Sequence, residues 1–378
     1  KATDIQQNFI GDFNIGNVRN RLVVGLDYYK NTVINNSSSY VGNGIIYIGD
    51  NLQEFNEEVL GRTDAANFTD DSGILNQPGT DALLENSPIN PSRSEQEIFS
   101  AYASDVVNIL PELSAMLSLR VDHFSNTDHS QTALSPKFGL VYQPVLNKVS
   151  IFANYMNGFS NTAPVEELAN GVTTIRTLDP EQANQFEVGT KFNLYKNRIS
   201  ATLSYYDITV KDKSLRIDVD ASNYFYTQNG TQENKGFEAS LIANPIDGLN
   251  IVAGYSFNDS KLVEGDADFK GLRPESAGPE NLANLWASYQ ISSGKLDGLG
   301  FGFGGNYASE NKIFNRNLGG TFTLPEYTIL NSSLFYGTSD YRITLKLDNI
   351  ANKEYYKGWS TISPQNQRTL LANFTYNF

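Results

Sequence analysis

Apolar and polar residues alternate along most of the chain in segments of about ten residues, the period of 2 that belongs to β-strands with two unlike faces. At the C-terminal end Leu370, Ala372, Phe374, Tyr376 and Phe378 share one face, while Thr369, Leu371, Asn373, Thr375 and Asn377 share the other. Tyr341, Ile343, Leu345 and Leu347 oppose Arg342, Thr344, Lys346 and Asp348 in the same way. Further up the chain Phe186, Val188, Thr190 and Phe192 oppose Gln185, Glu187, Gly189 and Lys191, and Ile251, Ala253, Tyr255 and Phe257 oppose Gly254, Ser256 and Asn258. One polar face thus recurs from strand to strand. The pattern predicts an all-β, antiparallel transmembrane barrel, apolar toward lipid and polar toward its lumen.

Fifteen strands are predicted, near 4–14, 20–30, 96–107, 113–124, 134–143, 149–158, 182–193, 198–210, 222–244, 250–261, 280–292, 298–310, 322–336, 341–350 and 366–378. Short connections at 16–19, 110–112, 144–148, 194–197, 245–249, 293–297 and 337–340 read as periplasmic turns. Long ones at 31–93, 125–133, 161–180, 211–221, 262–279, 311–320 and 351–365 read as extracellular loops. The segment 222–244 holds Asn229-Gly230 and Asn234-Lys235-Gly236 and is read as one bulged strand, because only then does Pro245-Ile246-Asp247-Gly248 fall with the other short turns. Loop 31–93 is acidic, with room for a short helix or strand. Residues 1–378 are read as a single barrel domain carrying that loop. Single-chain bacterial barrels have an even strand number, so an odd count predicts further strands upstream, and the closing strand 369–378 then lacks its partner here.

Composition narrows the class further. Mean hydropathy is -0.36, and no apolar run approaches the roughly 18–20 residues of a membrane-spanning helix. The 21 Tyr and 22 Phe suit interfacial girdles, and a terminal Phe on an aromatic strand suits the closing strand of a barrel. A net charge of -14 without a basic cluster argues against nucleic acid. With no Cys and only His123 and His129, neither a metal site nor His-based catalysis is expected. The glycine run 298–305 alternates with Leu299, Phe301 and Phe303; it reads as a wall that a plug or neighbouring chain approaches closely rather than as a phosphate loop. No Gly-x-Ser-x-Gly elbow occurs, and no enzyme is expected.

Several short motifs, in order and spacing, resemble TonB-dependent receptors of the ferric-siderophore branch. They are Ser135-Pro136-Lys137-Phe138-Gly139 with Phe152-Ala153-Asn154-Tyr155, Leu178-Asp179-Pro180-Glu181 with Glu187-Val188-Gly189-Thr190-Lys191, Gly236-Phe237-Glu238, Leu324-Pro325-Glu326-Tyr327-Thr328, and Asn349-Ile350-Ala351-Asn352-Lys353-Glu354-Tyr355. In the last, Asn352 stands where the family usually has Asp; Lys137 stands where Arg is common. The resemblance implies the C-terminal part of a 22-stranded barrel in the outer membrane of a Gram-negative bacterium, with the plug and first strands outside this chain. It further implies active uptake of a ferric siderophore, energised through the TonB complex, by a receptor present as a single copy surrounded by outer-membrane lipid.

Arg120, Asp122, Glu187, Lys191, Glu238, Arg342, Lys346 and Asp348 fall on the polar face and are expected to face the lumen or the plug. Asn349 and Tyr355 are expected to shape a strand end and rim. Phe159, Arg176, Tyr307, Phe314, Tyr356 and Trp359 occupy loop bases or loops and are the candidate ligand grips, since aromatics with a few charges hold a large chelate without coordinating its metal. Competing readings are a passive porin, a receptor for haem, cobalamin or a glycan, and a docking barrel acting through loop 31–93.

Overall fold

The computed structural model describes residues 1–38, 77–85, 87–126, 129–162, 164–220, 223–359 and 361–378; most of loop 31–93 lies outside them. The strands are Ala2–Ile15 (β1), Val18–Asn35 (β2), Ser92–Leu110 (β3), Leu113–Asn126 (β4), Ser130–Val145 (β5), Val149–Ser160 (β6), Val165–Ala169 (β7), Val172–Arg176 (β8), Glu181–Leu194 (β9), Ile199–Asp220 (β10) and Asn223–Ala243 (β11). They continue with Leu249–Glu264 (β12), Asn281–Gln290 (β13), Leu299–Ala308 (β14), Asn311–Arg316 (β15), Gly320–Leu324 (β16), Tyr327–Gly337 (β17), Tyr341–Asp348 (β18), Tyr356–Gly358 (β19), Ile362–Pro364 (β20) and Thr369–Tyr376 (β21). One helix, Gln77–Glu85 (α1), lies within loop 31–93, and a 3-10 turn spans Glu275–Ala277.

Two compact units emerge, residues 1–4 with 29–97 and residues 5–28 with 98–378. In the first, Lys30 Nζ pairs with Glu97 at 2.8 Å and Glu95 at 3.4 Å, and the amino terminus donates to the Thr32 carbonyl at 2.7 Å. The second holds the sheet. From β4 onward each wall strand pairs antiparallel with the next, in the order β4, β5, β6, β9, β10, β11, β12, β13, β14, β17, β18, β21. β1 pairs with β2 and β2 with β3. Leaving aside the short hairpins β7–β8, β15–β16 and β19–β20, fifteen wall strands remain, as the periodicity predicts. The sheet is not closed: β21 bonds β18 on one side only.

Exposure follows the alternation. Leu203, Tyr205, Phe237, Tyr255, Leu285, Phe301, Phe303, Leu334, Ile343, Leu345, Leu370 and Phe374 stand out on one face, which only lipid can cover favourably. Every ladder bond stays within the sheet, so strands with this face can cross hydrocarbon where loops cannot.

Four expectations need correction. Of the loop read at 211–221, residues 211–220 are strand: β10 runs on to Asp220, with Leu215, Arg216 and Ile217 opposite Thr227, Tyr226 and Phe225, because aromatic and β-branched cross-strand pairs carry the ladder past the membrane. The strand read at 322–336 is broken by Pro325 into β16 and β17, since proline cannot donate to the ladder. The loop read at 125–133 is mostly strand, β5 starting at Ser130. Finally, the glycine run is covered by the chain's own rings: a Cβ at Gly300 would strike Phe335, and one at Gly302 would strike Trp286. By contrast β11 is one strand, with its register shift at Thr231/Gln232 close to Asn229-Gly230.

Candidate functional site

The polar face of the sheet is built from alternate residues of successive strands. Thr202 and Ser204 (β10), Glu238 and Ser240 (β11), Ser256 (β12), Asn284 (β13), Asn306 (β14), Asn331 (β17), Asp348 (β18) and Leu371 (β21) line a cavity of 820 Å³. Tyr355, Lys357 and Gln367 reach it from the segment between β18 and β21. That volume lies within the range of small-molecule sites, and its charged lining is two wall carboxylates, Glu238 and Asp348, with the ammonium of Lys357. Lys346 Nζ offsets Asp348 at 2.8 Å.

A second group of wall charges forms a network. Asp122 is almost fully buried and accepts from Arg120 Nε at 2.9 Å and from Ser100. Arg120 also reaches Asp27 at 3.2 Å and donates to Ser100 Oγ at 2.8 Å. A recurrent device holds three wall cations in place: a glycine leaves a flat seat, a ring from a neighbouring strand fills it, and a cation lies over that ring. Gly25 seats Tyr102 under Arg120 at 5.3 Å, Gly189 seats Phe152 under Lys191 at 5.3 Å, and Gly300 seats Phe335 under Arg342 at 4.2 Å. Glu187 accepts instead from Asn154 at 3.2 Å. All eight charged residues assigned to the polar face by alternation lie on these strands.

At the long-loop end a different cluster assembles. Arg316 stacks on Phe269 at 3.8 Å and lies 5.4 Å from the Phe314 ring, with Glu275 accepting from its Nε at 2.6 Å. Beside it Lys213, Arg273, Phe269 and Trp359 line a cavity of 230 Å³. Arg273 is held by carbonyls, donating to Asn258 O at 2.7 Å and Gly278 O at 3.0 Å. Lys213 lies eight residues beyond the girdle residue Tyr205, and burial pulls its ammonium below the usual lysine range, Glu181 pulling it back up. Burial acts on Arg273 in the same direction. Three cations and two large rings thus line one small cavity at this end of the sheet.

Of the six candidate grips, the structure brings Phe314 and Trp359 to this cluster. Tyr356 lines a neighbouring cavity of 310 Å³ with Tyr327 and Pro325. The other three are engaged elsewhere. Tyr307 donates to Glu326 at 2.9 Å, Arg176 pairs with Glu167 at 3.3 Å across the β7–β8 hairpin, and Phe159 packs edge-on against Phe124 at 5.6 Å. Alternation overlooked Arg316, Phe269, Arg273 and Lys213, which lie in segments read as aperiodic loop. The signal for one of them was local: Phe314 and Arg316 share one face of a short strand pattern. Among the described residues no three His, Asp or Glu side chains converge to hold a metal.

An open antiparallel sheet with a lipid face, a polar lumen face and long loops at one end defines an outer-membrane β-barrel. Residues 2–350 match the family model described as TonB dependent receptor-like, beta-barrel, and the chain belongs to that family. It is 24% identical over 390 residues to the metal-pseudopaline receptor CntO of Pseudomonas aeruginosa, covering 99% of this chain and 51% of that one. It is 26% identical over 246 residues to the ferrioxamine B receptor of Salmonella typhimurium, covering 64% of this chain and 33% of that one. Among solved structures, the closed form of the ferric-catecholate import receptor Fiu of E. coli K12 superposes with a TM-score of 0.74 at 17% identity, over 100% of this chain and 54% of that one. The ferripyoverdine receptor of Pseudomonas aeruginosa does so with a TM-score of 0.75 at 17% identity, over 100% and 48%. The chain therefore spans about half the length of its relatives. Its family resides in the Gram-negative outer membrane, and its members are transport receptors rather than enzymes.

Proposed function

We propose that this chain forms most of the barrel wall of a receptor that takes up a ferric siderophore actively, acting with a plug domain in the lumen and with the TonB complex. One observation supports the reading: Arg316 lies 3.8 Å from the Phe269 ring and 5.4 Å from the Phe314 ring, beside a cavity that Trp359, Lys213 and Arg273 line with it, a set suited to gripping a large polar chelate. Rings bury its apolar edges, while the cations answer its oxygen-rich surface. The 230 Å³ cavity is too small to enclose a whole chelate, so the cluster grips part of one, and the 820 Å³ lumen cavity lies on the inward path. The cargoes for which the relatives are named, metal-pseudopaline, ferrioxamine B, ferric catecholate and ferripyoverdine, support this class of cargo. The metal travels as cargo, held by its chelator and not by protein side chains.

The test is growth of a strain lacking the receptor, complemented with wild type or Arg316→Ala, on single ferric siderophores under iron limitation. Wild type should restore growth on one or a few chelates. Arg316→Ala should weaken chelate binding about tenfold, the equivalent of about 1.4 kcal/mol, at unchanged surface level. Restoration only on haem, cobalamin or a glycan, or uptake that persists without TonB, would remove the proposal.

A further inference from the structure

The 230 Å³ cavity at the long-loop end holds more positive charge than its own chain answers. Its ionisable lining is Lys213, Arg273 and Arg316 against the single carboxylate Glu275. Glu275 is taken up by Arg316, whose Nε it meets at 2.6 Å. Lys213 Nζ donates to a neutral acceptor, Gln232 Oε1, at 2.6 Å, and the described residues place no carboxylate in ion-pair contact with it. Arg273, its side chain 8% exposed, donates to neutral oxygens of Asn258 and Gly278 and stands 3.9 Å from the half-exposed Glu280. Other acids nearby are engaged by other donors: Glu181 by Ser214 N at 3.0 Å, Asp268 by Leu318 N at 2.7 Å, and Asp259 by Lys261 at 2.9 Å. Burial lowers both Lys213 and Arg273, as it does for cations without a close counter-charge. Most of the remaining lining is apolar: Leu215, Leu262, Leu272, Phe269 and Trp359. The walls are tied to one another, Asn315 donating to Arg273 O at 2.9 Å and Asn317 to Ala267 O at 2.7 Å, so the cavity is formed in advance of any ligand.

We infer that this cavity takes one anionic aromatic arm of the cargo, a catecholate ring, and so selects catecholate chelates over hydroxamate ones. The inference rests on the siderophore reading above and names the class of chelate. A cavity of about 150 Å³ takes benzene, so 230 Å³ admits one ring with its oxygens. Phe269, Trp359 and the three leucines cover the ring, and the ammonium of Lys213 with the guanidinium of Arg316 answers its oxygens. The fold has already taken Lys213 out of water, so an arriving anion gains the attraction without repeating that desolvation. An aliphatic hydroxamate arm brings no ring to bury. It also brings less charge: each catecholate carries two negative charges to ferric iron and each hydroxamate one, so three catecholates leave an anionic complex and three hydroxamates a neutral one. A citrate-type arm has the charge but no ring, and leaves the apolar lining unfilled.

The test is equilibrium binding to the full-length receptor in detergent, with ferric complexes built on one tripod that bears three catecholamide arms, three aliphatic hydroxamates or three ringless carboxylates. Wild type should bind the catecholate complex about tenfold tighter than the hydroxamate one. Lys213→Met keeps the stem and removes the charge, and should cut that preference about tenfold; Trp359→Leu should cut it about threefold. Lys213→Arg keeps the cation and should retain most of the preference, which separates lost charge from a damaged fold. Equal binding of catecholate and hydroxamate, tightest binding of the ringless carboxylate, or a preference unmoved by Lys213→Met would each overturn the inference and leave a siderophore receptor in place. Binding of none of the three would remove the siderophore reading, and the inference with it.

Discussion

Asp122→Ala is the sharpest probe of the lumen wall, because it removes the buried acceptor on which Arg120 and Ser100 converge. Its side chain is 5% exposed, that of Arg120 36%. Removing one partner of a fully buried ion pair costs about 3–5 kcal/mol. Arg120 is partly open to water and keeps Asp27 at 3.2 Å and Ser100 at 2.8 Å, so the cost here should fall to about 2–3 kcal/mol. Large barrels unfold irreversibly, so the observable is a rate: if the network is absent from the transition state, that cost becomes about 30- to 150-fold faster unfolding. The assay is the time course by which heated, detergent-solubilised receptor passes from the compact to the unfolded band on a denaturing gel. Asp122→Asn keeps the shape and one acceptor, and should lose about half as much. Arg120→Ala combined with Asp122→Ala should cost less than the sum of the two, since the Arg120–Asp122 pair is lost in each single variant but only once in the double, while Asp27 loses Arg120 whenever Arg120 is removed. Unfolding of Asp122→Ala within twofold of wild type, or an additive cycle, would refute the network.

The seats beneath the rings make a second prediction. Gly189→Ala drives a Cβ into the Leu203 carbonyl and the Phe152 ring and should cost about 1–3 kcal/mol in the same unfolding assay, whereas Gly158→Ala, with nothing within 4 Å, should stay within about 0.5 kcal/mol. Asn349 is buried at φ 51°, with its amide donating to Lys353 O and accepting from Lys353 N, both at 2.8 Å; Asn349→Ala should cost about 2 kcal/mol and expose 350–366 to protease. Lys213 titrates below its usual 10.5 in the fold, so its ammonium opposes folding; protease resistance of the β10–β11 extension should rise as pH climbs through that lowered value and level off near 10.5. Lys213→Met should flatten that rise, and an unchanged profile would remove burial as its cause.

How far the sequence reaches depends on which force shapes each part. Where lipid covers one face and polar groups the other, every second residue is constrained, and alternation placed all fifteen wall strands. It failed where that constraint lapses. Beyond the girdle neither face of β10 and β11 is constrained by lipid, so polar residues such as Lys211, Asp212 and Lys213 read as loop, although cross-strand pairs such as Ile217 with Phe225 hold the ladder. The loop cluster has no period because Arg316 is positioned by partners about forty residues or more away, Glu275 and Phe269. The glycines show the same limit from inside the wall. Their alternation told correctly that something approaches closely, but not what. Only the register, with Phe335 opposite Gly300 and Phe152 opposite Gly189, shows that neighbouring strands supply the rings.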